Sequence, residues 1–107
     1  MRIRFIALAL LVATLPAAAD TPACNRAFNG FADELDALAD KYDKIEKTDE
    51  LCRFMRSTGT PLYQSIADRS QGLVGKCERG AEALAFARTK LKEETVRMNE
   101  VCAKAGM

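Results

Sequence analysis

The chain has 107 residues, 16 Lys and Arg against 15 Asp and Glu, four Cys and no His. Without His there is no imidazole base, no histidine metal ligand and no charge switch near neutral pH. A charge this close to neutral lacks the basic footprint of a nucleic-acid binder, so no nucleic-acid partner is expected.

Arg2 and Arg4 open the chain, Phe5 to Leu15 is an uncharged apolar run, and Pro16 breaks it just before Ala17, Ala18 and Ala19. A basic start, an apolar stretch of about ten residues and small residues at a cleavage point make a secretory signal peptide. The run is shorter than the ~20 apolar residues a spanning helix needs. Residues 1–19 are therefore expected to be cleaved between Ala19 and Asp20, leaving residues 20–107 as one domain in the periplasm or outside the cell. Asp20, Thr21 and Pro22 then form a polar leader. No Cys follows the alanines at once and no second long apolar run exists, so neither a lipid anchor nor stable membrane insertion is expected. Losing Arg2 and Arg4 leaves 14 bases against 15 acids, a net charge of −1.

From Ala23 to Glu46 an apolar seam recurs every seven residues at Cys24, Phe31, Leu38 and Ile45, with Phe28, Leu35 and Tyr42 between them. This alternation of four- and three-residue steps predicts a helix packed along a nearly parallel partner. Asp33, Asp36, Asp40, Lys44 and Lys47 fall on the opposite, solvent face.

A shorter, interrupted segment follows. Thr48 is the expected N-cap, with Asp49 and Glu50 in the first turn, where the helix dipole favours acids. Leu51, Cys52 and Met55 are expected to face inward. Gly59 then suits a helix end, Thr60 a cap and Pro61 a first helical position, which predicts a corner and a second short helix to about Ser70. The last helix is expected from about Leu73 to Lys104. Cys77, Leu84, Leu91 and Met98 recur at seven, and Gly72, Gly75 and Gly80 weaken its start. No period-two run rich in β-branched residues suggests a strand. The fold class is therefore all-α: a small up-down-up bundle of three helices, the middle one broken near Gly59-Pro61, stapled by two disulfides.

In an exported chain four cysteines form a disulfide framework with three pairings to choose from. The first helix climbs about 33 Å and the last about 37 Å, which separates cysteines at opposite ends. In the up-down-up order Cys24 and Cys77 share one end, and Cys52 and Cys102 share the other. Only those pairs come within the roughly 7 Å that a disulfide allows. A zinc site would want close Cys pairs, which this spacing lacks, and no metal or cofactor is expected.

Nothing in the residues points to catalysis, and the chain is not expected to be an enzyme. No C-x-x-C motif or phosphate-binding glycine loop is present. Glu93-Glu94 and Asp33-Glu34 are neighbours that point apart on a helix and read as solvated faces. More character lies around the corner, where Arg56, Tyr63, Gln64 and Arg69 form a candidate interaction surface, Tyr and Arg being favoured interface anchors. The expected function is an exported binding or inhibitory protein, comparable in architecture to immunity proteins and enzyme inhibitors, acting on another protein. An acid-protective periplasmic chaperone is the alternative, and a secreted enzyme a weaker one. The seams would also be satisfied between two copies, which leaves a homodimer open.

Overall fold

The computed structural model describes residues 20–107; the expected export signal, residues 1–19, lies outside the described residues. Thr21, expected in a polar leader, instead starts the first helix, α1 (Pro22–Asp43): its Oγ1 accepts from Cys24 N at 3.1 Å, with Pro22 next to it. Cap and proline satisfy or remove amide donors that a helix start leaves without partners. The predicted seam is the buried face, comprising Cys24, Phe28, Phe31, Leu35, Leu38 and Tyr42. The helix stops at Asp43, earlier than Glu46, where Lys44 N donates to Lys41 O and Ile45 N to Tyr42 O in a tightened last turn. Ile45 still packs, half-buried, against the core.

The middle helix comprises α2 (Thr48–Phe54), a π-helical turn (Met55–Gly59) and α3 (Thr60–Gln71). Lys47 occupies the cap position and makes no side-chain cap bond, so Thr48 is not the cap. The interruption at Gly59-Pro61 is present, but it takes the form of a π turn in place of the expected corner. Gly59 (φ −64°, ψ −60°) and Thr60 (φ −63°, ψ −44°) both keep helical dihedrals, and Thr60 N donates to Met55 O, five residues back. In an α-helix the Pro61 ring would press on the Ser57 carbonyl and break one hydrogen bond. A wider π turn just before the proline eases that contact while the helix runs on.

The last helix, α4 (Gly80–Lys104), starts seven residues later than expected. Residues 72–79 instead form a run of turns, in which Lys76 N and Cys77 N both donate to Leu73 O. Gly75 takes φ +86°, a left-handed value that suits glycine. A β-carbon on Gly80 would overlap the backbone of Leu73 and Val74. Cys77 therefore lies in this connector and not in the helical seam, yet it remains buried.

The disulfide pairs are those the up-down-up order requires: Cys24–Cys77, with Cα atoms 5.8 Å apart, and Cys52–Cys102, 4.9 Å apart. One pins each end of the bundle. Between them the core joins the α1 seam to Met55, Tyr63, Ile66 and Ala67 of the middle helix and to Ala83, Leu84 and Ala87 of α4. The backbones of α3 and α4 approach most closely. Ala67, Ser70, Ala83 and Ala87, all small and buried, permit that approach. Among the described residues no helix is long and apolar enough to cross a membrane.

Candidate functional site

The four residues expected to form an interaction surface do not meet. Arg56 is exposed near the Cys52–Cys102 end, where its Nη2 donates to Met107 O at 3.2 Å. Gln64 is exposed and donates to Asp68 Oδ1 within its own helix. Tyr63 is only 1% exposed and belongs to the core, so it is no surface anchor. Arg69 lies thirteen positions beyond Arg56, about 20 Å along a helix at 1.5 Å per residue. Arg69 borders a concave site.

That site is a groove of about 420 Å³ between α1 and the end of α3. Its floor is apolar: Ala27, Gly30 and Phe31 from α1, with Gly72 and Leu73 from the start of the connector. Arg26, Glu34 and Arg69 form the rim. Small residues open it. A β-carbon on Gly30 would meet nothing within 4 Å, and one on Gly72 would meet only the Arg69 carbonyl, at 3.5 Å. Arg69 holds Glu34 through two bonds of 2.7 Å, and its guanidinium lies 5.1 Å from the centroid of the Phe31 ring. This forked contact lowers the pKa of Glu34, burial opposing the shift, and raises that of Arg69.

At the Cys24–Cys77 end, Arg79 is 3% exposed and fully engaged. Its Nε donates to Asp20 Oδ2 at 2.7 Å and its Nη2 to Asn25 Oδ1 at 2.8 Å, with the guanidinium over Phe28. Asp20 also accepts from Glu78 N. Burial works against ionisation of Asp20, but Arg79 and the Glu78 amide outweigh it and hold its pKa below the ordinary value. Asp20, Cys24 and Cys77 converge like metal ligands, but both sulfurs are taken by the disulfide, so no thiolate is left to bind a metal.

A third polar cluster crosses the middle of the bundle. Tyr42 Oη donates to Glu94 Oε2, Arg97 lies 3.7 Å from Glu94 Oε1, and its guanidinium covers the Tyr42 ring at 5.3 Å. Glu94, read from sequence as part of a solvated acid pair, is in fact 5% exposed. These contacts satisfy a buried carboxylate and join α1 to α4 across the π turn.

Sequence reasoning missed Arg26, Gly30, Glu34, Gly72 and Leu73. The available signal was Gly30 inside a long helix pattern, in line with Arg26 and Glu34 at four-residue steps. No family model, curated protein or solved structure matches the chain.

Proposed function

We propose that this protein is exported and acts by binding, or inhibiting, another protein through a preformed surface. The observation that supports this most is an apolar groove standing open on a bundle pinned at both ends by disulfides. A surface that is already rigid loses less conformational freedom on binding than one that must first order itself. Two disulfides fit an oxidising compartment such as the periplasm or the extracellular space. A holdase would need the bundle to loosen so that the seam faces clients, and the bridges at both ends oppose that movement.

The test is retention from periplasmic or secreted extract on the immobilised, oxidised protein, with a reduced and alkylated column beside it. The expected result is one protein held by the oxidised form alone, which then forms a complex of fixed stoichiometry by calorimetry. Retention of many unfolded clients at acid pH would favour the chaperone instead.

A further inference from the structure

Resting on the binding reading above, we infer that the groove between α1 and α3 receives an apolar side chain, aromatic or leucine-like, that a partner protein carries beside a carboxylate. The floor of Ala27, Gly30, Phe31 and Leu73 offers only apolar contact, and the space above Gly30 is empty to 4 Å. An apolar group seated there is desolvated against the half-buried Ala27 and Leu73 side chains, which supplies the attraction.

The rim selects the charge. Arg69 is matched by Glu34, whereas Arg26 is exposed and unpaired among the described residues. Two arginines against one glutamate leave the groove one positive charge in excess. Elsewhere α1 turns Asp33, Asp40 and Asp43 to solvent, against one exposed base, Lys41. An acidic partner segment is thus repelled along most of α1 and attracted at Arg26, so charge gives both position and register. The groove is also open along one side. Small-molecule sites bury 70–90% or more of their ligand; a side chain projecting from a larger surface needs no such enclosure, because its own protein covers the remainder.

The probe is acetyl-Glu-Leu-Phe-Glu-amide, titrated into ¹⁵N-labelled oxidised protein expressed from its full-length gene, with acetyl-Lys-Leu-Phe-Lys-amide as the charge-reversed control. The acidic peptide is expected to shift the amides of Ala27, Gly30 and Leu73 saturably and to bind about tenfold more tightly than the basic one. Gly30→Leu, which grows into open space, is expected to abolish the shifts without lowering the melting temperature. Arg26→Gln is expected to erase the preference between the peptides. Equal binding of both peptides, shifts centred elsewhere, shifts that survive Gly30→Leu, or none at millimolar peptide would overturn the assignment. So would two other occupants: a second copy, seen as concentration-dependent shifts of the same amides without peptide, or a free amphiphile, seen as decanoate saturating the groove below the acidic peptide. A protein still retained on the oxidised column after such a failure overturns the groove assignment alone.

Discussion

The Tyr42 hydroxyl donates to the buried Glu94 carboxylate immediately beside Gly59, at a point where a β-carbon on Gly59 would overlap that hydroxyl. The π turn, the α1 seam and α4 therefore depend on one another at a single contact. Gly59→Ala is expected to destabilise the protein by about 2 kcal/mol, as overpacking does. Tyr42→Phe removes a hydrogen bond to a buried charge and is expected to cost about 2 kcal/mol. The two losses should not add. Without the hydroxyl the new methyl group meets the ring carbon at 3.1 Å and Glu94 Oε2 at 3.6 Å, so the double variant should recover about 1 kcal/mol relative to the sum. Urea unfolding of the four proteins in the cycle measures this, and strict additivity would show that the contact does not couple the helices.

The parts of this fold that could be read in advance are those with long, regular burial. The seven-residue recurrence in α1 places six large or sulfur-bearing side chains on one face, and every one is buried. The disulfide pairing followed because two long helices leave each cysteine only one partner within reach. The middle helix was harder to read because its buried stripe contains residues that do not look like core. Cys52, Met55, Gly59, Tyr63, Ile66 and Ser70 are all buried at three- and four-residue steps. Gly59 and Ser70 interrupt the apolar pattern, so Tyr63 reads as an interface anchor as readily as a core residue beside Leu62 and Ile66. Glu94 was misplaced for a related reason: its burial depends on Tyr42, fifty-two positions away, and no local period records that. The groove at Arg69 is equally non-local, since α1 and the connector each supply half of its floor.

Acid should act mainly through Asp20. Its pKa is below the ordinary 3.8 in the folded protein, so the unfolded chain binds its proton more readily. Its contribution is complete above that ordinary value and is lost as pH falls through the lower, folded value. Glu34 has the same sign from an ordinary 4.5, but Glu34 and Arg69 are partly exposed and solvent screens the pair, so its share is smaller. The midpoint of unfolding is expected to drop as pH is lowered from about 5 towards 2, and Asp20→Asn should flatten that slope. The same substitution leaves Arg79 buried without its anion, for a loss of about 3 kcal/mol at neutral pH. An unaltered acid slope in Asp20→Asn, followed by circular dichroism melts, would contradict the assignment.

Each disulfide closes a loop of about fifty residues, 53 positions for Cys24–Cys77 and 50 for Cys52–Cys102. Chain entropy then predicts close to equal contributions, about 4 kcal/mol each as an upper figure. Replacing either pair by serines should lower stability by similar amounts, and replacing both should leave the bundle largely unfolded at 37 °C, since a domain this small has a modest core. Guanidinium titrations of the paired variants provide the comparison. A much larger loss for one pair would mean that its end of the bundle is held by little else.

Ser70 is completely buried on α3, and its hydroxyl has no hydrogen-bond partner among the described residues. A buried hydroxyl in that position costs desolvation and returns nothing. Ser70→Ala is expected to raise stability by about 1 kcal/mol. Denaturant midpoints at constant slope decide the matter, and a loss of stability would mean that the hydroxyl is satisfied after all.

Gly30 and Gly80 make opposite predictions from the same substitution. Gly30 lies inside α1, and an added methyl there meets open space, so Gly30→Ala should stabilise the helix by about 0.5–1 kcal/mol. Gly80 opens α4 where an added methyl overlaps the Leu73 carbonyl. That neighbour is backbone, tied by bonds from Lys76 N and Cys77 N, so it cannot give way without disturbing the whole connector. Gly80→Ala is therefore expected to destabilise the protein by 2 kcal/mol or more, roughly the cost of strained packing. It should also increase amide exchange at Lys76 and Cys77 while leaving exchange in α1 unchanged. If Gly30→Ala destabilised the protein instead, the open space above α1 that forms the groove would have to be filled by something the folded chain needs.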